Sequence, residues 1–231
     1  MLTMTSALDR AERQYGDRVA ITDGKRDFTW AEHIGRVRQA ANMLGELGIK
    51  AGVRFAVICE NSYRYMELLH AGYWSGAIPV PINHRLAPPE IRHILDDAEC
   101  KYLFLGADFL GLPDAEDVAP WRKRVVYVGP RLGDCEYPQY EELIRDADGL
   151  DAIEAGEDDL ALLLYTGGTT GKSKGVRLSH KNISANGMQS HMAMGIRTDD
   201  RFLHAAPMFH AADLLGTAFT LSGGAHAFLP V

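Results

Sequence analysis

The residues with the clearest chemical promise stand together: Thr166, Gly167, Gly168, Thr169, Thr170, Gly171, Lys172, Ser173 and Lys174. They follow an aliphatic run, Leu162-Leu163-Leu164, and then Tyr165. Glycines let a backbone turn several N–H groups toward one point, and such a nest binds anions. Threonine and serine hydroxyls add donors, and the two lysines add point charges suited to a polyphosphate. Each charge-assisted hydrogen bond is worth about 1.5–3 kcal/mol, so several together hold a nucleoside triphosphate. A plain glycine hairpin needs neither the threonines nor the lysines.

Two familiar patterns come close and fail. Walker A needs glycine five places before Gly171, where Thr166 stands, and it runs straight into a helix. Here Gly175-Val176-Arg177-Leu178 is strand-like, and a helix starts more naturally at Ser179. Residues 171–175 formally fit Gly-x-Ser-x-Gly, but that elbow is a tight strand-to-helix turn, whereas these five lie deep in a loop. A second candidate is Phe209 and His210, after Pro207-Met208, at an expected strand-to-helix turn. From its position alone, His210 reads as a residue that opens a helix. His204, on a strand-like run, reads as structural, and Met188, Met192 and Met194 read as packing. Asp199-Asp200 reads as a solvated turn, and Asp96-Asp97 gives no paired-carboxylate geometry. No His/Cys/Asp cluster has metal-ligand spacing, so no protein metal site is expected.

The elements that must carry these residues alternate. Residues 30–47, 63–74, 88–98 and 137–147 have helical spacing, and 54–60, 101–105, 124–128 and 159–165 are strand-like. Residues 77–82 are apolar but broken by Pro79 and Pro81, which suits an edge strand. Such alternation predicts an α/β fold, a mainly parallel sheet flanked by helices, with 159–165 a central strand. Residues 106–121 read as a surface loop and 148–159 as a polar linker. After Gly223-Gly224 the apolar run 225–231 predicts that the sequence is cut in or just after a strand.

The net charge of −7 leaves no basic footprint for nucleic acid. Three cysteines, odd in number and widely spaced, suggest neither disulfides nor a zinc knuckle, and Cys59 reads as core. No apolar run approaches the ~20 residues of a membrane span, and no signal-peptide stretch opens the sequence. A cytoplasmic location is the resulting expectation.

Residues 165–176 resemble the phosphate-binding loop of the adenylate-forming enzymes, the AMP-dependent synthetases and ligases: Tyr-Thr-Ser-Gly-Thr-Thr-Gly-x-Pro-Lys-Gly-Val. Gly167 stands for the usual serine and Ser173 for the usual proline. The likeness extends through residues 47–54 with Asn61, through 76–83 with Leu86, through 178–182, and through Pro207-Met208-Phe209-His210. It covers essentially the whole chain, but less than half of a full-length member.

The resemblance implies an incomplete N-terminal AMP-binding domain over residues 1–231, without the small C-terminal domain. It implies an acyl-CoA synthetase that activates a carboxylic acid, first of all a fatty acid, through an acyl-adenylate and passes it to coenzyme A. ATP, Mg2+ and coenzyme A are the expected cofactors and co-substrates. Residues 166–174 would grip the β- and γ-phosphates, with Lys174 supporting catalysis, and Phe209 and His210 would lie beside the acyl group. The family's glutamate for magnesium, ribose aspartate, hinge and C-terminal adenylating lysine lie past residue 231, so the isolated chain is expected to be inactive. An aryl-CoA ligase, another adenylation enzyme, or a non-catalytic binding chain are the alternatives.

Overall fold

The computed structural model describes residues 2–24, 26–145, 147–167 and 172–229. Helix α1 (Met4–Tyr15) leads to an antiparallel pair, β1 (Val19–Thr22) and β2 (Asp27–Thr29), and then to α2 (Trp30–Glu46). The start of α2 is encoded locally. Thr29 Oγ1 accepts from the Glu32 backbone N–H at 3.2 Å, and the Glu32 carboxylate accepts from the Thr29 N–H at 2.7 Å. Trp30, Ile34, Val37, Ala41 and Leu44 form its buried stripe. Gly48 follows at φ +73°, a left-handed conformation that glycine adopts without strain.

Strand β3 (Arg54–Ile58), helix α3 (Tyr63–Ser75), strand β4 (Ile78–Pro81), helix α4 (Pro88–Asp97), β5 (Leu103–Leu105) and β6 (Val125–Tyr127) build a parallel sheet in the order β4-β3-β5-β6. Its strands are apolar on both faces because both faces are covered. Ala56, Ile58 and Val80 pack with Ile91, Ile94 and Leu95 of α4. Phe55, Val57 and Phe104 join a larger core with α2 and α3. As expected, β4 is an edge strand of its ladder. Ile78 N donates to Val53 O at 2.9 Å and Ile82 N to Val57 O at 3.0 Å, so Pro79 and Pro81 fall at the intervening positions, where no donor toward β3 is required.

A second sheet has the order β2-β1-β10-β9, with β9 (Arg201–Leu203) and β10 (Ala225–Ala227) parallel to each other and to β1. Helix α6 (His180–Met194) precedes β9 and α7 (Gly216–Ser222) lies between β9 and β10 in the chain, while α5 (Tyr140–Arg145) follows β6. The α/β expectation with a parallel sheet and flanking helices holds.

Several expectations are corrected. Strand β7 (Leu160–Thr166) is not a central member of the parallel sheet; it forms an antiparallel pair with β8 (Lys174–Ser179). It lies against β4, but no ladder joins the two. The unbroken aliphatic run 160–164 marks a strand buried on both faces without naming its partner: Leu162 and Leu164 enter the larger core, and Leu163 enters the other. Residues 106–121 run mostly over the surface, as read, but they contain short 3-10 turns, and Pro113, Val118 and Trp121 among them are buried. Trp121 Nε1 donates to Cys100 O at 3.2 Å. The described residues of 147–156 have no regular structure, yet they strap the helices: Leu150 N donates to Arg38 O, Ile153 N to Trp74 O, and Trp74 Nε1 to Leu150 O. Met188, Met192 and Met194 are exposed rather than packed, Met192 to 81%. Cys59 is core, as read.

Candidate active site

The β7–β8 pair places the first candidate group. Its register ends with Thr166 opposite Lys174, so Gly167, Lys172 and Ser173 stand at the open mouth of the hairpin. Gly168, Thr169, Thr170 and Gly171 lie outside the described residues. Lys172 and Lys174 are both exposed, which puts two ammonium groups at the mouth. A strand, not a helix, follows the loop, and α6 begins only at His180 after the Ser179 cap; this disposes of Walker A.

Helix α4 steadies the mouth from one side. His93 Nε2 lies 3.2 Å from Ser173 O, and the Tyr165 hydroxyl donates to the Asp97 carboxylate at 2.5 Å. Burial and then the Asp97 contact push the Tyr165 phenol above its usual range, so it stays a donor at neutral pH. Asp97 of the Asp96-Asp97 pair is therefore an anchor for β7.

The second group gathers on another flank of β7. Leu162 and Leu164 line a cavity with Met66, Leu69, Met208 and His210. His210 is exposed and caps the 3-10 turn Ala211–Leu215, its Nδ1 accepting from Ala212 N at 3.1 Å; this leaves Nε2 for a ligand. It therefore opens a 3-10 turn and also lines the cavity. Phe209 is half-buried and meets the His84 ring edge-on, centroids 5.1 Å apart.

Asn61, just past β3, reaches across to this turn. Its Nδ2 donates to His204 O at 2.8 Å and Ala206 O at 2.6 Å, and its Oδ1 accepts from Met208 N at 2.8 Å. Two carbonyls on one side and one N–H on the other fix the amide's orientation.

The cavity also has a polar wall. His204 Nδ1 lies 2.9 Å from Asp213, His204 Nε2 lies 3.0 Å from His226 Nδ1, and His226 Nε2 lies 3.0 Å from Thr220 Oγ1. With a carboxylate at one end and neutral rings, one order satisfies every member: Thr220 donates to His226, His226 to His204, and His204 to Asp213. Burial, and then the neighbouring His204, hold the His226 imidazole well below its usual range. His70, bonded through Nδ1 to His33 at 2.9 Å, is held down to about 3, by burial first. The structural reading of His204 fits this chain. Asp213, Thr220, His226 and His70 gave no local signal, since the relay joins residues that are adjacent only through the fold.

Among the described residues, no group of three or more His, Cys, Asp or Glu side chains is placed to hold a metal ion. A strand thus leads to a cationic hairpin mouth, with a cavity of one apolar side and one polar wall on its flank.

Residues 8–231 match the AMP-binding enzyme family, and the chain belongs to it. At finer grain the relatives are CoA ligases. The chain is 35% identical over 205 residues to a feruloyl-CoA synthase of Amycolatopsis, covering 89% of this chain and 39% of that one. It is 32% identical over 198 residues to the long-chain-fatty-acid–CoA ligase FadD13 of Mycobacterium tuberculosis, covering 85% of this chain and 38% of that one. The inhibitor-bound N-terminal domain of FACL13 from M. tuberculosis superposes with a TM-score of 0.86 at 29% identity, over 100% of this chain and 57% of that one. ATP-bound MatB from Rhodopseudomonas palustris gives 0.85 at 28%, over 99% and 45%. The chain spans about two-fifths of the length of the curated relatives it matches.

Proposed function

We propose that this chain supplies the phosphate-binding and acid-binding part of an ATP-dependent acyl-CoA synthetase. One observation carries the reading: a single strand, β7, leads into the lysine-bearing hairpin mouth and lines the cavity that His210 and Met208 share. The carboxylate of the acid attacks the α-phosphorus of ATP and pyrophosphate leaves; the thiol of coenzyme A then attacks the acyl-adenylate and releases AMP. A carboxylate is already ionised at neutral pH, so the first step needs charge neutralisation and alignment rather than a base. Residues 166–174 take the β- and γ-phosphates, Lys172 and Lys174 offset their charge, and Phe209 and His210 border the acid. Thr166 and Ser173 offer oxygen ligands that fit a nucleotide-borne magnesium ion, whose chemistry is to neutralise phosphate charge.

A fatty acid is the substrate class assigned first, because Met66, Leu69, Leu162, Leu164 and Met208 give the cavity an apolar side beside its polar wall. An aryl acid is the second reading, favoured by the likeness to a feruloyl-CoA synthase. No described helix is long and apolar enough to cross a membrane, and a cytoplasmic location belongs to the same proposal, as does the absence of a nucleic-acid partner. The 231 residues alone are expected to fall far below the rate of the native protein that carries them.

The test is acid-dependent ATP–pyrophosphate exchange and CoA-thioester formation by that native protein, with a panel of fatty and aromatic acids. Exchange that requires an acid is the expected result. A fatty acid preferred over aromatic acids supports the first assignment, and the reverse order supports the second. Failure with every acid tried overturns the reading.

A further inference from the structure

We propose that Asn61 is a positioning residue for the acid-binding turn, fixing where Phe209 and His210 meet the substrate; the inference rests on the acyl-activating reading above. The turn of residues 204–210 follows β9 in one sheet, and Asn61 follows β3 in the other. The primary amide spends both donors and one acceptor site on that turn: the donors go to His204 O and Ala206 O, and Oδ1 accepts from Met208 N. The turn's own backbone bonds do not replace these. His204 N donates to Ala227 O, Ala205 N to Leu203 O, and His210 N to Pro207 O, so among the described residues Asn61 is the partner of His204 O, Ala206 O and Met208 N. Asn61 is thus a side-chain clamp between the ends of two separate sheets, set one residue before the pair that borders the acid.

The geometry also limits what can stand at position 61. Aspartate keeps the acceptor for Met208 N but has no donor when ionised, and it turns a charge toward two carbonyl oxygens. Alanine loses all three bonds. Glutamine carries the same amide on a stem one methylene longer, so the turn must move to stay bonded. A misplacement near 1 Å at a reacting centre can cost on the order of 100-fold in rate.

The experiment compares Asn61→Ala, Asn61→Asp and Asn61→Gln with wild type in the native full-length protein. It measures separate kinetic constants for acid and ATP in the exchange assay, and hydrogen exchange at the Met208 amide. The expected result in Asn61→Ala is a kcat/KM for the acid lowered at least tenfold while the KM for ATP stays within about threefold. Met208 exchange should speed up in Asn61→Ala and stay slow in Asn61→Asp, which still accepts the bond. If Asn61→Ala does not fold, Asn61→Asp carries the kinetic comparison with the same expectation. Unchanged acid kinetics, or acid and ATP constants that worsen in proportion, overturn the proposal. So does Met208 exchange that ignores the substitution. A wild-type protein that activates no acid defeats the functional reading alone, and the Met208 exchange still decides whether Asn61 holds the turn.

Discussion

Lys174 opens β8 opposite Thr166 and is exposed, so it has no core packing to lose. Replacing it with alanine should leave the melting temperature within about 2 °C of wild type, since exposed substitutions usually stay within about 0.5 kcal/mol. The adenylation rate should fall roughly 10- to 150-fold, the equivalent of one charge-assisted bond to phosphate. Calorimetry and the exchange assay on the same preparation check both halves, and an unchanged rate removes Lys174 from the phosphate site. This residue was legible because the loop's chemistry is written in consecutive positions. The partners of the His210 turn were not. Asn61 lies 143 residues from the carbonyl of His204, and neither periodicity nor spacing reaches that far. The relay from Thr220 to Asp213 was hidden for the same reason, and His204 looked structural because it sits on a strand-like run, which says nothing of its carboxylate partner.

Helix α6 shows what a single cap can set. Ser179 Oγ accepts from Asn182 N at 3.3 Å, and Asn182 Oδ1 accepts from Ser179 N at 3.0 Å, so the box closes in both directions. Ser179 also ends β8, which makes it the joint between the hairpin and the helix. Ser179→Ala should lower stability by about 1 kcal/mol. Denaturant unfolding should register it as a lower midpoint with an unchanged slope; an unaltered midpoint would show that the helix is placed by packing alone. Such caps explain why the starts of α2 and α6 could be read from sequence. Strand partnering could not. The run 160–165 announces burial on both faces, which is equally true of a central parallel strand and of a hairpin strand wedged between two cores. Trp121 and Val118 were missed for a related reason: short 3-10 turns bury apolar residues without a repeat that a window can find.

Across the molecule, acid should be the condition that unfolds this chain through its histidines. His33, His70 and His226 are buried, and burial holds all three below the usual imidazole range, with His70 at about 3. His70 and His204 stand against these rings, and Asp213 closes the far end of the row. An imidazole held down in the folded state binds fewer protons there than in the unfolded chain, whose histidines titrate near 6.5. Its contribution is complete above that pH and is lost as pH falls toward the folded values. Melting temperature should therefore drop steadily from pH 7 to pH 5, and His70→Asn should make the dependence shallower by about one proton; a flat profile in wild type contradicts the argument. The prolines of β4 have a mechanical counterpart to this chemical weakness. The β7–β8 pair touches the parallel sheet beside Pro79 and Pro81, and no ladder crosses there. Backbone hydrogen bonds resist sliding because they are directional, whereas side-chain packing alone resists it far less. The boundary therefore carries no rung, and a shift of the lysine-bearing hairpin along it would leave every rung of the sheet beneath intact.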